Sequence, residues 1–269
     1  EALQFAARTP GSLTPRPRVM IIGTQHGAAE PAGGEAILVL ARALVSGDLQ
    51  YLREHMDIIL IPNANPDGRD MGRRSNAQRI NINTDFVLVS QPETQVLKAA
   101  LQRFQPDVVL DSHESAIFKR KTLAKQGYLT DFYAQFESAN NPGIPASARA
   151  FAFDVLLPAM IERTSSKGLP AHRYIGEIIS IQQPITHGGL TLQNFRNTAG
   201  ITGALSFLVE TRLDSREDKF PTYRNIGVRV DRQMICLRAF LETVDQNRAG
   251  VVQEVARMRA AMSTEPLAL

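Results

Sequence analysis

Four short apolar runs set the rhythm of the chain: Val19 to Gly23, Ile58 to Ile61, Val108 to Leu110 and Leu205 to Val209. The run at 108–110 shows no alternation, which suits a strand buried on both faces, although a buried helical segment would look similar. Each run ends abruptly in polar residues: Thr24-Gln25-His26, then Asn63, Asn65 and Asp67, then Asp111-Ser112-His113-Glu114, then Glu210 and Arg212. Helical patterns lie between them. Pro31 opens one with Ile37, Leu40, Ala41 and Leu44 on one face and Gly47 near its end. Ser90 and Glu93 form a capping box around Pro92, ahead of a face made by Val96, Leu97, Ala100, Leu101 and Phe104. Residues 148–163 read as helical with a kink at Pro158. The carboxyl-terminal helix carries Val230, Met234, Leu237, Leu241 and Val244, then Val251, Val255, Met258 and Met262, with a break at Gly250. Residues 1–17 read as an irregular arm, 62–68 as a dense turn, 69–89 as a long polar loop, and 172–200 as loops between short strands. Residues 114–147 show no clear pattern beyond a loop at 140–145. Strands alternating with helices predict an α/β fold: a single domain over 1–269, with a mixed, mostly parallel central sheet flanked by helices.

Composition narrows the classes of function. Hydrophobic residues at 43% and charged residues at 21% are ordinary for a globular chain of 269 residues. The net charge of +3 is spread along the chain, with no Lys/Arg block interleaved with aromatics, so no nucleic-acid partner is expected. No apolar stretch is long enough to span a bilayer, so no membrane partner is expected either. The one cysteine, Cys236, excludes an internal disulfide and a cysteine-based metal cage, and it falls in an apolar helical pattern. The chain begins at Glu1 rather than Met. That leaves a removed leader conceivable, and both a cytoplasmic and a periplasmic or secreted location open.

The polar ends of the runs carry candidate chemistry, because open α/β sheets hold their ligands beyond the carboxyl ends of the strands. A lone histidine there is most simply a loop residue, and His187 is read that way, with substrate contact as its alternative; His55 reads as a surface residue and His172 as structural or solvated. His26, Glu30 and His113 are different, since two strand ends deliver two imidazoles and a carboxylate. Three such ligands leave a fourth tetrahedral position for water, the pattern of a catalytic zinc (Zn2+) site. Glu210, at another strand end, is a candidate general base, and Arg74 in the long loop a candidate partner for a negative tetrahedral intermediate.

At the level of motifs the sequence resembles the zinc carboxypeptidase family M14. The matching segments are His26 to Glu30 with Pro31-Ala32-Gly33, Asn65-Pro66-Asp67-Gly68, Arg74-Ser75-Asn76 leading to Asn83-Thr84-Asp85-Phe86, Asp111-Ser112-His113, and Phe207 to Arg212, in the family's order. The resemblance implies His26, Glu30 and His113 as zinc ligands, Glu210 as general base, Arg74 as oxyanion stabiliser and Asn83 as a substrate contact. Four positions depart from the pattern. Three residues rather than two separate His26 from Glu30. Asn81 stands where an Asp orients the first histidine, and Arg79 replaces a Gly. Thr84 replaces the Arg that pairs with the substrate's terminal carboxylate, and Thr cannot form that bidentate ion pair. Arg79 or Arg196 is a candidate to supply the missing cation; Arg196 and Arg212 also read as structural ion-pair partners. The implied function is hydrolysis of a peptide or amide bond. An N-acyl amino acid deacylase of the desuccinylase and aspartoacylase branch is the alternative enzyme, although Thr84 does not favour it. A zinc-free binding module is the alternative outside catalysis.

Overall fold

In the computed structural model, which describes residues 2–5, 16–116, 132–176, 182, 184–213 and 225–264, each apolar run becomes a strand. The strands are β1 (Leu3–Phe5), β2 (Arg18–Gly23), β3 (Asp57–Ile61), β4 (Val108–Ser115), β5 (Ala134–Ser138), β6 (Ala171–Arg173) and β7 (Leu205–Arg212). They form one sheet in the order β1-β3-β2-β4-β7-β5-β6. The pairings of β2 with β3 and β4, of β4 with β7, and of β5 with β6 are parallel. Those of β1 with β3 and of β5 with β7 are antiparallel. The mixed, mostly parallel sheet expected from the pattern is the architecture found.

Absence of alternation has a direct structural cause. Val19 and Ile21 of β2 enter one apolar layer, and Met20 and Ile22 enter the other. Val108 and Leu110 of β4 likewise oppose Val109. With α2 (Leu52–His55) and α5 (Ala146–Ala150) as short connecting helices, one layer is closed by α1 (Ala32–Ser46), α6 (Leu157–Ser166), α8 (Ile226–Gln246) and α9 (Arg248–Thr264). The other is closed by α4 (Pro92–Phe104) and α7 (Phe195–Ile201). Covering both faces removes the sheet from water and explains why the central strands carry so few polar residues before their ends. The topology reverses at β2, whose neighbours are β3 on one side and β4 on the other. That is the switch point at which open sheets form a crevice.

Several sequence expectations change. Residues 3–5 of the supposed arm pair with β3 as an edge strand. β4 does not stop at Leu110 but runs to Ser115, in register with β7 through Arg212, because its polar residues find buried partners. Ser90 does not cap α4. The N-cap is Gln91, and Asp85 accepts the Gln91 N–H (2.9 Å) and the Ser90 hydroxyl (2.7 Å). Val96 is 65% exposed rather than part of the buried face. The long loop contains α3 (Pro66–Asp70) and a 3-10 turn at Ile82–Thr84. Instead of a kink at Pro158, Phe151–Leu156 winds as a π-helix and Pro158 falls in the first turn of α6, where its missing N–H is tolerated. Asn194 to Asn197 opens α7 rather than a loop, with the Asn194 side chain accepting the Asn197 N–H at 2.9 Å. The terminal helices break at Asn247, not at Gly250. Cys236 is buried in the core as expected. No helix among the described residues is long and apolar enough to cross a membrane.

Candidate metal centre and substrate cleft

β2 ends at Gly23, and Thr24 turns the chain with φ 62, an uncommon conformation for a residue with a side chain. It is held there by the Thr24 hydroxyl, which donates to the Pro62 carbonyl at 3.0 Å. The Asn65-Pro66-Asp67-Gly68 segment braces the same corner. The Asn65 side chain accepts the Gly68 N–H (2.8 Å) as the cap of α3, and donates to the Gln25 carbonyl (3.1 Å). His26 follows, at the start of a 3-10 turn over Gly27–Ala29. This turn absorbs the extra residue between His26 and Glu30. Gly27 has φ +52, and a Cβ there would lie 2.4 Å from the Arg73 carbonyl, so only glycine fits. The chain thereby returns Glu30 to His26, while β4 brings His113 alongside. Ligand atoms of His26, Glu30 and His113 all lie within 4.8 Å of one another, and all three residues are buried.

The surroundings of these side chains suit a cation. Burial pushes the His26 imidazole down to about 3, and its Nδ1 meets no hydrogen-bond partner among the described residues. The Asn81 side chain holds the ring by a hydrogen bond, in the place where an Asp was expected. Burial opposes the Glu30 carboxylate, but His26, Arg74 and His113 together keep it well below the usual carboxylate range. Its Oε2 lies 3.1 Å from His113 Nδ1 and accepts the Glu114 N–H at 3.2 Å. Burial also opposes charge on His113, yet Asp111 and Glu30 raise it well above its ordinary value. Asp111 Oδ2 sits 2.7 Å from His113 Nε2 and accepts from Gln25 Nε2 at 2.7 Å. Nδ1 of His113 therefore faces the cluster while Nε2 is held by a carboxylate, the support that orients a metal-ligating histidine. A buried imidazole nitrogen without a partner, a second imidazole and a carboxylate fit a three-ligand divalent site.

Glu210 of β7 lies beside His113 of β4 in the parallel register. Both line a cleft of about 320 Å³ together with His26, Arg74, Asn83 and Thr84. Arg74 is half-exposed and ion-paired to Glu30. Asn83 Oδ1 accepts the Phe195 N–H at 2.9 Å, and its Nδ2 lies 3.5 Å from His113 Nε2, so it links the start of α7 to the cluster. The Thr84 hydroxyl donates to the Asn81 carbonyl at 2.8 Å. Arg196 also lines the cleft, beside Gly188 and Gly189. Arg79 is not brought there; it sits in the exposed stretch 77–80 with φ 62. Arg212 stacks over the Tyr133 ring. His55 pairs with Asp245, His172 stacks on Phe132, and His187 Nδ1 lies 2.7 Å from the Tyr174 carbonyl.

Sequence reading missed the support behind the cluster. Arg229 of α8 is fully buried and donates through Nε and Nη2 to both carboxylate oxygens of Glu114 (2.7 and 2.8 Å). Glu114 Oε2 also accepts the Ala32 N–H at the start of α1 (2.9 Å). Gln233 donates to the His113 carbonyl (2.7 Å) and accepts from the Ser112 hydroxyl (2.9 Å). A signal existed: Arg229 and Gln233 stand four apart on the same helical stripe as Leu237 and Leu241. Polar side chains on such a stripe are buried and therefore bonded. Tyr174, Thr191 and Leu208, which also line the cleft, carried no comparable signal.

A doubly covered mixed sheet with two histidines and a glutamate gathered at its switch point defines an α/β protein with a candidate metal centre. Comparison with known proteins narrows the class. The zinc carboxypeptidase family profile (peptidase M14) matches residues 1–95. Carboxypeptidase 2 of Trichophyton tonsurans is 28% identical over 244 residues, which is 89% of this chain and 44% of that protein. Carboxypeptidase 2 of Trichophyton rubrum is 30% identical over 199 residues, 72% of this chain and 37% of that protein. The chain thus spans less than half the length of these curated relatives. A metallo-carboxypeptidase from Burkholderia cenocepacia superposes with a TM-score of 0.65 at 18% identity, covering 91% of this chain and 61% of that one. One from Pseudomonas aeruginosa gives 0.63 at 19%, covering 93% and 61%. The chain is thus similar to zinc carboxypeptidases in sequence and to metallo-carboxypeptidases in fold.

Proposed function

We propose that the protein is a zinc-dependent hydrolase of peptide or related amide bonds, acting in the manner of a carboxypeptidase. The observation that carries this reading is the buried His26, Glu30 and His113 cluster at the carboxyl edge of the sheet, with Glu210 at its side and with His26, His113 and Glu210 lining one cleft. His26 and His113 through Nδ1, and Glu30 through its carboxylate, would hold the zinc, which supplies a water of lowered pKa and polarises the scissile carbonyl. Glu210 accepts the proton of the attacking water and delivers it to the leaving amine. Arg74 places a guanidinium beside the cluster, where negative charge develops on the carbonyl oxygen. Asp111 keeps His113 oriented through Nε2, and Asn81 does so for His26.

The test is Glu210→Gln, which keeps shape but cannot accept the proton. Turnover of peptide substrates should fall by about 100- to 10,000-fold, since that is the usual contribution of general-base catalysis. Bound zinc, measured on the same preparation, should stay at the wild-type level. A Gln variant with normal turnover would assign the base elsewhere.

A further inference from the structure

We propose that Arg196 sets the specificity of this cleft by binding a carboxylate of the substrate that lies beside the scissile amide, in place of the cation that Thr84 lacks. The proposal deepens the hydrolytic reading and takes its cleft as the substrate site.

Arg196 is only 2% exposed, yet it lines the cleft. Its Nη2 donates to two neutral acceptors, Asn140 Oδ1 (3.2 Å) and the Gly189 carbonyl (3.3 Å). Among the described residues, Nε and Nη1 meet no hydrogen-bond partner. Guanidinium is a fork of five donors that stays charged in proteins, and a buried charge is ordinarily paired. Neither carboxylate that acts on it through space, Glu137 or Asp111, accepts a hydrogen bond from it among the described residues. Glu137 uses both oxygens on Arg173 (2.7 and 3.2 Å), and Asp111 Oδ2 serves His113 and Gln25. Arg229 shows what a structural arginine looks like in this fold, with Nε and Nη2 on the two oxygens of one buried carboxylate.

The wall around Arg196 is shaped to leave the fork available. Gly188 has φ +91, and a Cβ there would fall 3.0 Å from Nη2 and 3.1 Å from Nη1, so a larger residue would crowd the guanidinium. Asn83 fixes α7 to the metal cluster through Phe195, the residue before Arg196, and so sets the distance between anchor and chemistry. Thr84 turns its hydroxyl onto its own 3-10 turn. A carboxylate accepting from Nε and Nη1 would satisfy both donors at once, the paired geometry that guanidinium and carboxylate favour.

The carboxylate has two possible sources, the substrate's terminal group or an acidic side chain, and one binding experiment separates them. The zinc-loaded Glu210→Gln protein is titrated calorimetrically with three acetylated tripeptides. One ends in a free carboxylate and one in a carboxamide; the third is a carboxamide with glutamate as its last residue. One carboxylate-bearing peptide should bind at least about tenfold more tightly than the uncharged carboxamide, and which one names the source. Adding Arg196→Gln should erase the preference, and Arg196→Lys should keep part of it. Zinc content and the thermal melt show whether each variant is folded. If Arg196→Gln does not fold, Gly188→Ala reads the same contact from the loop side and should weaken the preference. Equal binding of all three peptides by the parent protein would overturn the proposal. So would a preference that survives in a folded, zinc-replete Arg196→Gln protein. Because calorimetry reads no turnover, a chain that selects carboxylates but hydrolyses nothing would refute the hydrolytic reading and leave this one standing.

Discussion

The two walls of the cleft are built in different ways. The sheet-edge wall is made by strand register: β2 ends at the turn carrying His26, β4 carries His113, and β7 sets Glu210 beside it. Behind that wall buried charges are paired, with Arg229 on Glu114 and Asp111 on His113. The opposite wall is made by the first turn of α7 and the glycines at 188–189, and among the described residues its buried Arg196 donates only to neutral acceptors. Under the proposed function, the difference separates a region that holds a fixed geometry for the reaction from one that selects the substrate. Two buried arginines of the same chain thus have different meanings, which their partners reveal and their burial does not.

The largest effect is expected at Arg229. Replacing it with Ala would leave Glu114 buried without its partner, and losing one member of a buried pair costs about 3–5 kcal/mol. Arg196→Ala leaves no bonded carboxylate behind and should cost clearly less. Urea denaturation of the two variants measures both, and equal losses would erase the distinction between the walls. Arg74→Ala should act on the reaction rather than on the fold. Removing a donor to a developing oxyanion lowers kcat by about 100- to 1,000-fold, with stability little changed because Arg74 is half-exposed. An Arg74→Ala protein of normal kcat would reduce Arg74 to a partner of Glu30. The smallest change expected is the loss of carboxylate preference at Arg196, about tenfold in binding, and it sharpens the contrast because it alters which ligand is chosen while zinc stays bound.

Much of this was legible in the residues because the strand ends are periodic signals. Apolar runs without alternation implied strands buried on both faces, and the polar residues following them placed His26, His113 and Glu210 at one edge. The extra residue between His26 and Glu30 was not interpretable from spacing alone. Its accommodation depends on the positive φ of Gly27 and on Arg73, which lies far along the chain and accepts the Ala28 N–H at 2.9 Å. The choice between Arg79 and Arg196 was equally closed to sequence, since it turns on which backbone segment folds toward the cleft. The break at Asn247 and the helix at Phe195–Ile201 were misread because Gly and Asn serve both caps and loops, and tertiary packing decides between them.

The account stands or falls on the metal. The direct measurement is zinc per chain by elemental analysis of metal-replete protein, compared among wild type, Glu210→Gln and His113→Ala, each shown to be folded by its thermal melt. The account predicts one zinc per chain in wild type and in Glu210→Gln, and none retained stoichiometrically by His113→Ala. A full complement of zinc in folded His113→Ala, or none in wild type, would contradict it.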